Sequence, residues 1–200
     1  MPEGYTHVRT AQKAAHAIHY KLQCPAAFAA GANGPDSFFC YEVWKKGQNR
    51  TYNLPLLGNR MHEDKTGAFL LALLHHTHTQ AQIEYTLGFL CHYAADTVMH
   101  PYVVFVSSPG QPYGMKGGHG YFEIALDSTL HAEAFYWVLE LFFGGRGFIT
   151  GHVSPAHLKL NLPEDWTDPA TGEERHGGAF ALLKDAQHRC ELFMTAALGH

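Results

Sequence analysis

The chain has no Cys-x-x-Cys pair, no adjacent His-Asp dipeptide, no His-Glu-x-x-His segment and no excess of basic residues, and each absence removes a class of function. Four cysteines occur in 200 residues (Cys24, Cys40, Cys91 and Cys190), dispersed and partly in apolar surroundings, so neither a thiolate zinc site nor a disulfide scaffold is expected and the thiols read as reduced. A zincin peptidase needs a second histidine that HEDKT at His62 lacks, and an HD-type phosphohydrolase needs a His-Asp pair. Lys plus Arg total 14 against 18 Asp plus Glu, a net charge of −4, which argues against a stable nucleic-acid partner. No uninterrupted apolar run reaches about 18 residues, so no transmembrane segment is predicted. The opening MPEGYTHVRT has no basic stretch leading into an apolar one, so no secretory signal is visible and a cytoplasmic location is expected.

Alternating strand patterns of useful length, internal repeats and domain linkers are also missing. What remains reads as all-α, a compact helical domain spanning 1–200. Helices are expected over 6–22, with Thr6 as N-cap and Pro25 ending it, and over 62–79, 82–100, 119–143 and 178–198. GANGPDSFF reads as a glycine-rich turn, and the residues after it to about 60 carry little periodicity. Pro101 is expected to end or kink the third helix, and Gly144 and Gly145 to stop the fourth.

Histidine is plentiful, with 16 residues, and its placement is uneven. In LGFLCHYAADTVMHPYV, His92, Asp96 and His100 follow one another at four-residue intervals and so share one stripe of an otherwise apolar helix. An ionised carboxylate among apolar side chains costs several kcal/mol unless it is paired or bound to a cation, so a hydrogen-bonded core network and a metal site are the two readings. His119 and Glu123 repeat the interval at the start of the next long helix. His62, Asp36 in the glycine turn and His7 near the amino terminus are further candidates. Carboxylates at matched spacing beside histidines favour metal, and a nitrogen and oxygen donor set without thiolate suits a catalytic zinc.

In order, the chain presents His7, GANGPD ending in Asp36, a lone His62, HYAAD (His92 and Asp96), His100, and HGYFE (His119 and Glu123). This ordered set resembles the zinc-dependent phospholipases C, whose fold is shared with fungal single-strand nucleases. The resemblance implies a first zinc on Asp36, His62, His92 and Asp96, and a second on His100, His119 and Glu123. It implies a third that Asp96 bridges and His7 holds, giving two to three zinc ions. In secreted members the amine and carbonyl of an amino-terminal Trp complete that third site. Here Met1 precedes Pro2, and excision of Met1 would leave a proline nitrogen near His7. The interval from Asp96 to His100 is shorter than in those enzymes. The function implied is metal-assisted hydrolysis of phosphate esters, phospholipid among them, by a phospholipase C-like phosphodiesterase in which Asp36 orients or deprotonates the attacking water. A noncatalytic, metal-stabilised helical descendant of the family is the alternative.

Other candidates are set against plainer roles. His75, His76 and His78 fall at a helix end, where such side chains complement the terminal carbonyls. Asp127 and His131 continue the stripe from Glu123, either supporting ligands or sitting in core or solvent, and Tyr93, Tyr102 and Tyr121 flank the proposed ligands.

Overall fold

The computed structural model describes residues 4–45, 49–143, 160 and 162–199, with the backbone alone over 132–143. Its elements in chain order are α1 (Gly4–Ala17), α2 (Pro25–Ala32), a 3-10 helix (Gly34–Cys40), α3 (Leu54–Glu63), α4 (Thr66–His75), α5 (Gln80–Val106), α6 (Gly118–Phe143), β1 (Asp165–Thr167), β2 (Glu174–His176) and α7 (Ala179–Leu198). The fold is thus all-α, apart from one antiparallel hairpin in which Trp166 pairs with Arg175. Strands of three residues are too short to show alternation, so sequence periodicity could not reveal them.

Four helix limits differ from expectation, each for an identifiable physical reason. Helix α1 starts before Thr6, because the Asp127 carboxylate accepts the backbone N–H groups of Tyr5 (3.1 Å) and Thr6 (2.9 Å) and also the Thr6 hydroxyl. It stops at Ala17, and Pro25 opens α2 at a position where its missing donor costs nothing. The expected helix over 62–79 is in fact α3 and α4. Asn53 caps α3 by accepting the Leu56 N–H at 3.2 Å, and the left-handed Lys65 (φ 53°) separates the two. His62 therefore closes a helix instead of opening one. Helix α5 runs through Pro101 to Val106. Proline removes one hydrogen bond, while Tyr102, Val103 and Val106 beyond it are fully buried, each such side chain contributing about 1.5–3 kcal/mol. Gly144 and Gly145 lie outside the described residues.

The chain divides into two compact units interleaved in sequence. One comprises His7–Thr97 and Leu183–His200. Its apolar centre is built on Leu70, Phe89 and Leu90, against which Phe69, Leu73 and Phe193 pack. Cys190 of α7 donates its thiol to the Cys91 carbonyl at 3.3 Å. Helices α2 and α5 meet with no side chain between them: a Cβ on Gly31 would lie 1.9 Å from the Tyr85 carbonyl oxygen, and one on Gly88 2.1 Å from that of Phe28. The buried Glu84 fastens the connection into α2 by accepting the N–H groups of Gln23 (2.7 Å) and Cys24 (2.6 Å).

The other unit comprises Met1–Thr6 and Val98–Leu182. Here Tyr102 is enclosed, its ring edge-on to Trp166 at 5.3 Å and its hydroxyl donating to the Pro163 carbonyl at 2.9 Å. Burial pushes that phenol up to about 12. Tyr113 packs on Phe122 at 5.0 Å, and the Arg175 guanidinium lies over the Trp166 ring while pairing with Asp168 at 2.8 Å.

Candidate metal centre

Four of the expected ligands come together inside the first unit. His7 is supplied by α1, Asp36 by the 3-10 helix, His62 by the last turn of α3 and His92 by the middle of α5. The Asp36 carboxylate is their common neighbour: its Oδ1 lies 3.2 Å from His62 Nε2 and 3.8 Å from His92 Nε2, and its Oδ2 lies 4.0 Å from His7 Nε2. The His7 and His92 rings are 4.2 Å apart between centroids. Among the described residues, ligand atoms of His7, Asp36 and His92 all fall within 4.8 Å of one another. The resemblance implies a separate ion for His7, whereas the fold groups this residue with Asp36 and His92.

The local backbone explains this convergence. Gly34 adopts φ +53°, a left-handed conformation that turns the chain from α2 into the 3-10 helix and so aims Asp36 inward. A Cβ at this position would approach the His92 ring to 2.5 Å, so the glycine is needed for space as well as for its dihedral. Gly58 in α3 leaves room for Pro35 and Phe38, which lets the helix carrying His62 pack on the segment carrying Asp36. In the sequence the Asn-Gly pair signals a turn, but nothing there shows that an imidazole fills the space of the missing Cβ.

Hydrogen bonds fix which ring nitrogens carry protons. His92 Nδ1 lies 3.2 Å from the Ala32 carbonyl and His62 Nδ1 lies 2.8 Å from the Gly58 carbonyl. A carbonyl only accepts, so both Nδ1 atoms donate, which leaves both Nε2 atoms as the nitrogens that face Asp36. Burial pushes His92 below the ordinary imidazole range despite the nearby charges of Asp36 and Asp96. Burial, followed by the neighbouring His92, pushes His7 well below it. For His62 burial acts downward too, but the Asp36 carboxylate, the Gly58 carbonyl and the charge of Asp96 outweigh it and its pKa is raised.

This arrangement leaves donor atoms unused. Both ring nitrogens of His7, Nε2 of His92 and Oδ1 of Asp36 are buried without a hydrogen-bond partner. Each buried unpaired polar group costs about 1–3 kcal/mol, so four in one place need a common explanation. A cation bound by nitrogen and oxygen supplies one, and the residues therefore fit a zinc ion. Asp96, one turn beyond His92, is half-buried and acts on both His62 and His92 through its charge.

The remaining expected ligands meet inside the second unit. His119 Nε2 lies 3.2 Å from Glu123 Oε1, and the His100 ring is edge-on to that of His119 at 5.3 Å. Glu123 is buried and His100 exposed. Asp127 is taken up with the start of α1, as described above, and His131 stacks edge-on against Tyr5 at 5.2 Å. Tyr121 is exposed, Tyr93 half-buried and Tyr102 committed to the core. His75, His76 and His78 are exposed, and His76 Nδ1 donates to the Ala72 carbonyl at 2.7 Å, the helix-end role expected of that tract. Residues 1–3, including Pro2, lie outside the described residues.

Among curated proteins and among solved structures, no match is found. One family model matches, that of zinc dependent phospholipase C, over residues 6–167. The match covers most of the chain, including every residue of both clusters, and the chain therefore belongs to the zinc-dependent phospholipase C family.

Proposed function

We propose that this protein is a zinc-dependent hydrolase of phosphate esters, acting as a phospholipase C-like phosphodiesterase. The observation that carries this reading is the group of buried, unpartnered donor atoms on His7, Asp36 and His92, in a chain of a zinc-dependent family. His7, Asp36, His62, His92 and Asp96 would hold zinc in the first unit and His100, His119 and Glu123 in the second, for about two to three ions.

Zinc, when bound, supplies Lewis acidity toward a phosphate ester and toward water. The protein's own part starts with exposure. The side chains of His7 and His92 are 1% and 2% exposed, against 13% for Asp36 and 21% for His62, so solvent and substrate reach the group from the side of the last two. Asp36 is thus the accessible carboxylate, able to orient a water molecule and accept its proton. His92 and His62 keep their Nδ1 protons on carbonyls and contribute lone pairs, while the enclosed His7 holds water away from the far side.

The test is elemental analysis of protein purified without chelator, followed by hydrolysis of bis-nitrophenyl phosphate. Zinc at one or more equivalents with turnover that falls at least about 100-fold in Asp36→Asn is the expected result. Bound zinc with no turnover on phosphodiesters or phosphomonoesters would leave the noncatalytic, metal-stabilised reading. Zinc below about half an equivalent would overturn the metal site itself.

A further inference from the structure

His7 stands on a weaker piece of backbone than the other imidazoles of the metal centre. His92 lies in the middle of α5 and His62 in the last turn of α3, whereas His7 is the fourth residue of α1. The first four N–H groups of a helix have no partner within it, so an opening turn frays unless something outside holds it. Helix α1 has no acidic residue in its own first turn to do so. Yet the His7 side chain is enclosed, with both ring nitrogens buried, so the centre needs that turn closed.

Helix α6 supplies the hold. The Asp127 carboxylate accepts the N–H groups of Tyr5 (3.1 Å) and Thr6 (2.9 Å) as well as the Thr6 hydroxyl. It thereby satisfies two of the four open donors and sets a negative charge at the positive end of the helix dipole. Thr6 is buried, which keeps water from competing for these bonds. One turn further along α6, the His131 ring meets Tyr5 edge-on at 5.2 Å. The two residues gripped in this way directly precede His7 in the chain. Beyond the first turn α1 is secured separately, because Ala11, Ala14 and Ala15 are buried. Opening of the first turn therefore falls on His7 and leaves the rest of the helix in place.

We propose that Asp127 is a positioning residue of the metal centre: it closes the first turn of α1 and so sets the His7 imidazole beside Asp36 and His92, making zinc retention there depend on a carboxylate whose own bonds go to Tyr5 and Thr6. Without it the turn samples open states that withdraw one nitrogen donor, and the ion is released more readily. This inference rests on the reading of His7 as a zinc donor and on no step of catalysis. In α6 the stripe of His119, Glu123, Asp127 and His131, spaced by four, then has two uses: candidate ligands in its first half and a clamp on α1 in its second.

The experiment is dialysis of the intact, zinc-loaded protein against graded concentrations of the chelator dipicolinate, with bound zinc read by elemental analysis and the fold by circular dichroism. Wild type is compared with His7→Ala, Asp127→Ala, Asp127→Asn and the double variant His7→Ala/Asp127→Ala. His7→Ala defines how much zinc depends on that donor. Asp127→Ala should release this same zinc at a chelator concentration at least about tenfold lower than wild type, with its helical signal kept. Asp127→Asn retains an acceptor oxygen and should come within about threefold of wild type. In the His7→Ala background the change at Asp127 should shift zinc release by less than about twofold, since a closed turn serves nothing there without the imidazole. Zinc held as in wild type by Asp127→Ala, where His7→Ala has lost it, overturns the proposal and leaves the metal centre as described. An equal shift with and without His7 also overturns it, because Asp127 then acts through general stability or through the ligands of α6. His7→Ala that holds zinc like wild type overturns both the proposal and the place of His7 in the centre. If Asp127→Ala does not fold, Thr6→Val removes the hydroxyl bond alone: a shift of about threefold that vanishes without His7 supports the proposal, and no shift overturns it.

Discussion

Gly34 and His92 share one volume: the space where a side chain at residue 34 would begin is filled by the His92 imidazole, 2.5 Å from the position of a Cβ. Gly34→Ala combines that overlap with a left-handed dihedral that costs an L-residue about 1–2 kcal/mol. The variant should lose at least about 2 kcal/mol of stability and most of its bound zinc. Chemical denaturation and elemental analysis measure the two effects. Unchanged zinc content would mean that His92 is not held where zinc binds.

Asp36 touches three imidazoles, while His75 and His76 lie exposed at the end of α4. Asp36→Asn should therefore remove bound zinc, and His75→Ala/His76→Ala should leave both zinc content and turnover within about twofold of wild type. Loss of zinc from the His75/His76 variant alone would place the metal at the wrong cluster.

Glu84 is buried, and its pKa reflects opposing effects. Burial alone would raise it, but the donors of Gln23, Gln80 and Cys24 outweigh burial and hold the carboxyl below its usual value of 4.5. A depressed carboxyl contributes stability that is present above the unfolded value and is lost as pH falls through the folded one. Wild type should therefore weaken on acidification below about pH 4.5, and Glu84→Gln should show a smaller loss over that window. At neutral pH, Glu84→Ala leaves two backbone N–H groups unpaired and should cost about 2–4 kcal/mol. Parallel acid titrations followed by circular dichroism would settle the point, and identical acid midpoints would remove Glu84 from the explanation.

Cys91 and Cys190 are enclosed side by side, and the hydrogen bond from Cys190 together with burial pushes the Cys91 thiol well up. Cys40 is exposed. Iodoacetamide on the native protein should label Cys40 at least about tenfold faster than Cys91 or Cys190, and denaturant should equalise the three. Peptide mass spectrometry reads this directly. Fast native labelling of Cys190 would show that α7 detaches from α5.

Asp127→Ala should loosen the start of α1 by about 1–2 kcal/mol, because Tyr5 and Thr6 lose the acceptor that satisfies their N–H groups. Asp127→Asn keeps an acceptor oxygen and should recover at least half of that loss. Hydrogen exchange at Thr6 would locate the effect, and protection equal to wild type in both variants would show that another acceptor takes over.

The residues that converge were legible because they are chemically conspicuous in a chain with little else to explain them. His92 with Asp96, and His119 with Glu123, obey helical spacing, and a helix delivers such pairs to one face wherever it packs. His62 was legible as a residue, although its place at the end of a helix was not, since α3 has no strong apolar stripe and begins from a single Asn53 cap. The joining of His7 to Asp36 and His92 depends on tertiary packing, as does the use of Asp127 to start α1 from more than 120 residues away in sequence. No local pattern encodes either. Pro101 misled because its local penalty is one hydrogen bond, whereas the burial of Tyr102, Val103 and Val106 beyond it is worth several times as much.

The contact between Gly31 and Gly88 works as a gauge for the chemistry one turn away. Because two bare backbones meet there, the separation of α2 from α5 cannot drift with side-chain rotamers, and it delivers the Ala32 carbonyl to His92. The span from Gly88 to His92 then acts as a measured arm: one residue added within it would swing the imidazole by about 100° and away from Asp36. In such a design tolerance to sequence change is anisotropic. Exposed positions of α2 such as Ala26 and Ala30 are free to vary, while the length of chain between glycine and ligand is not.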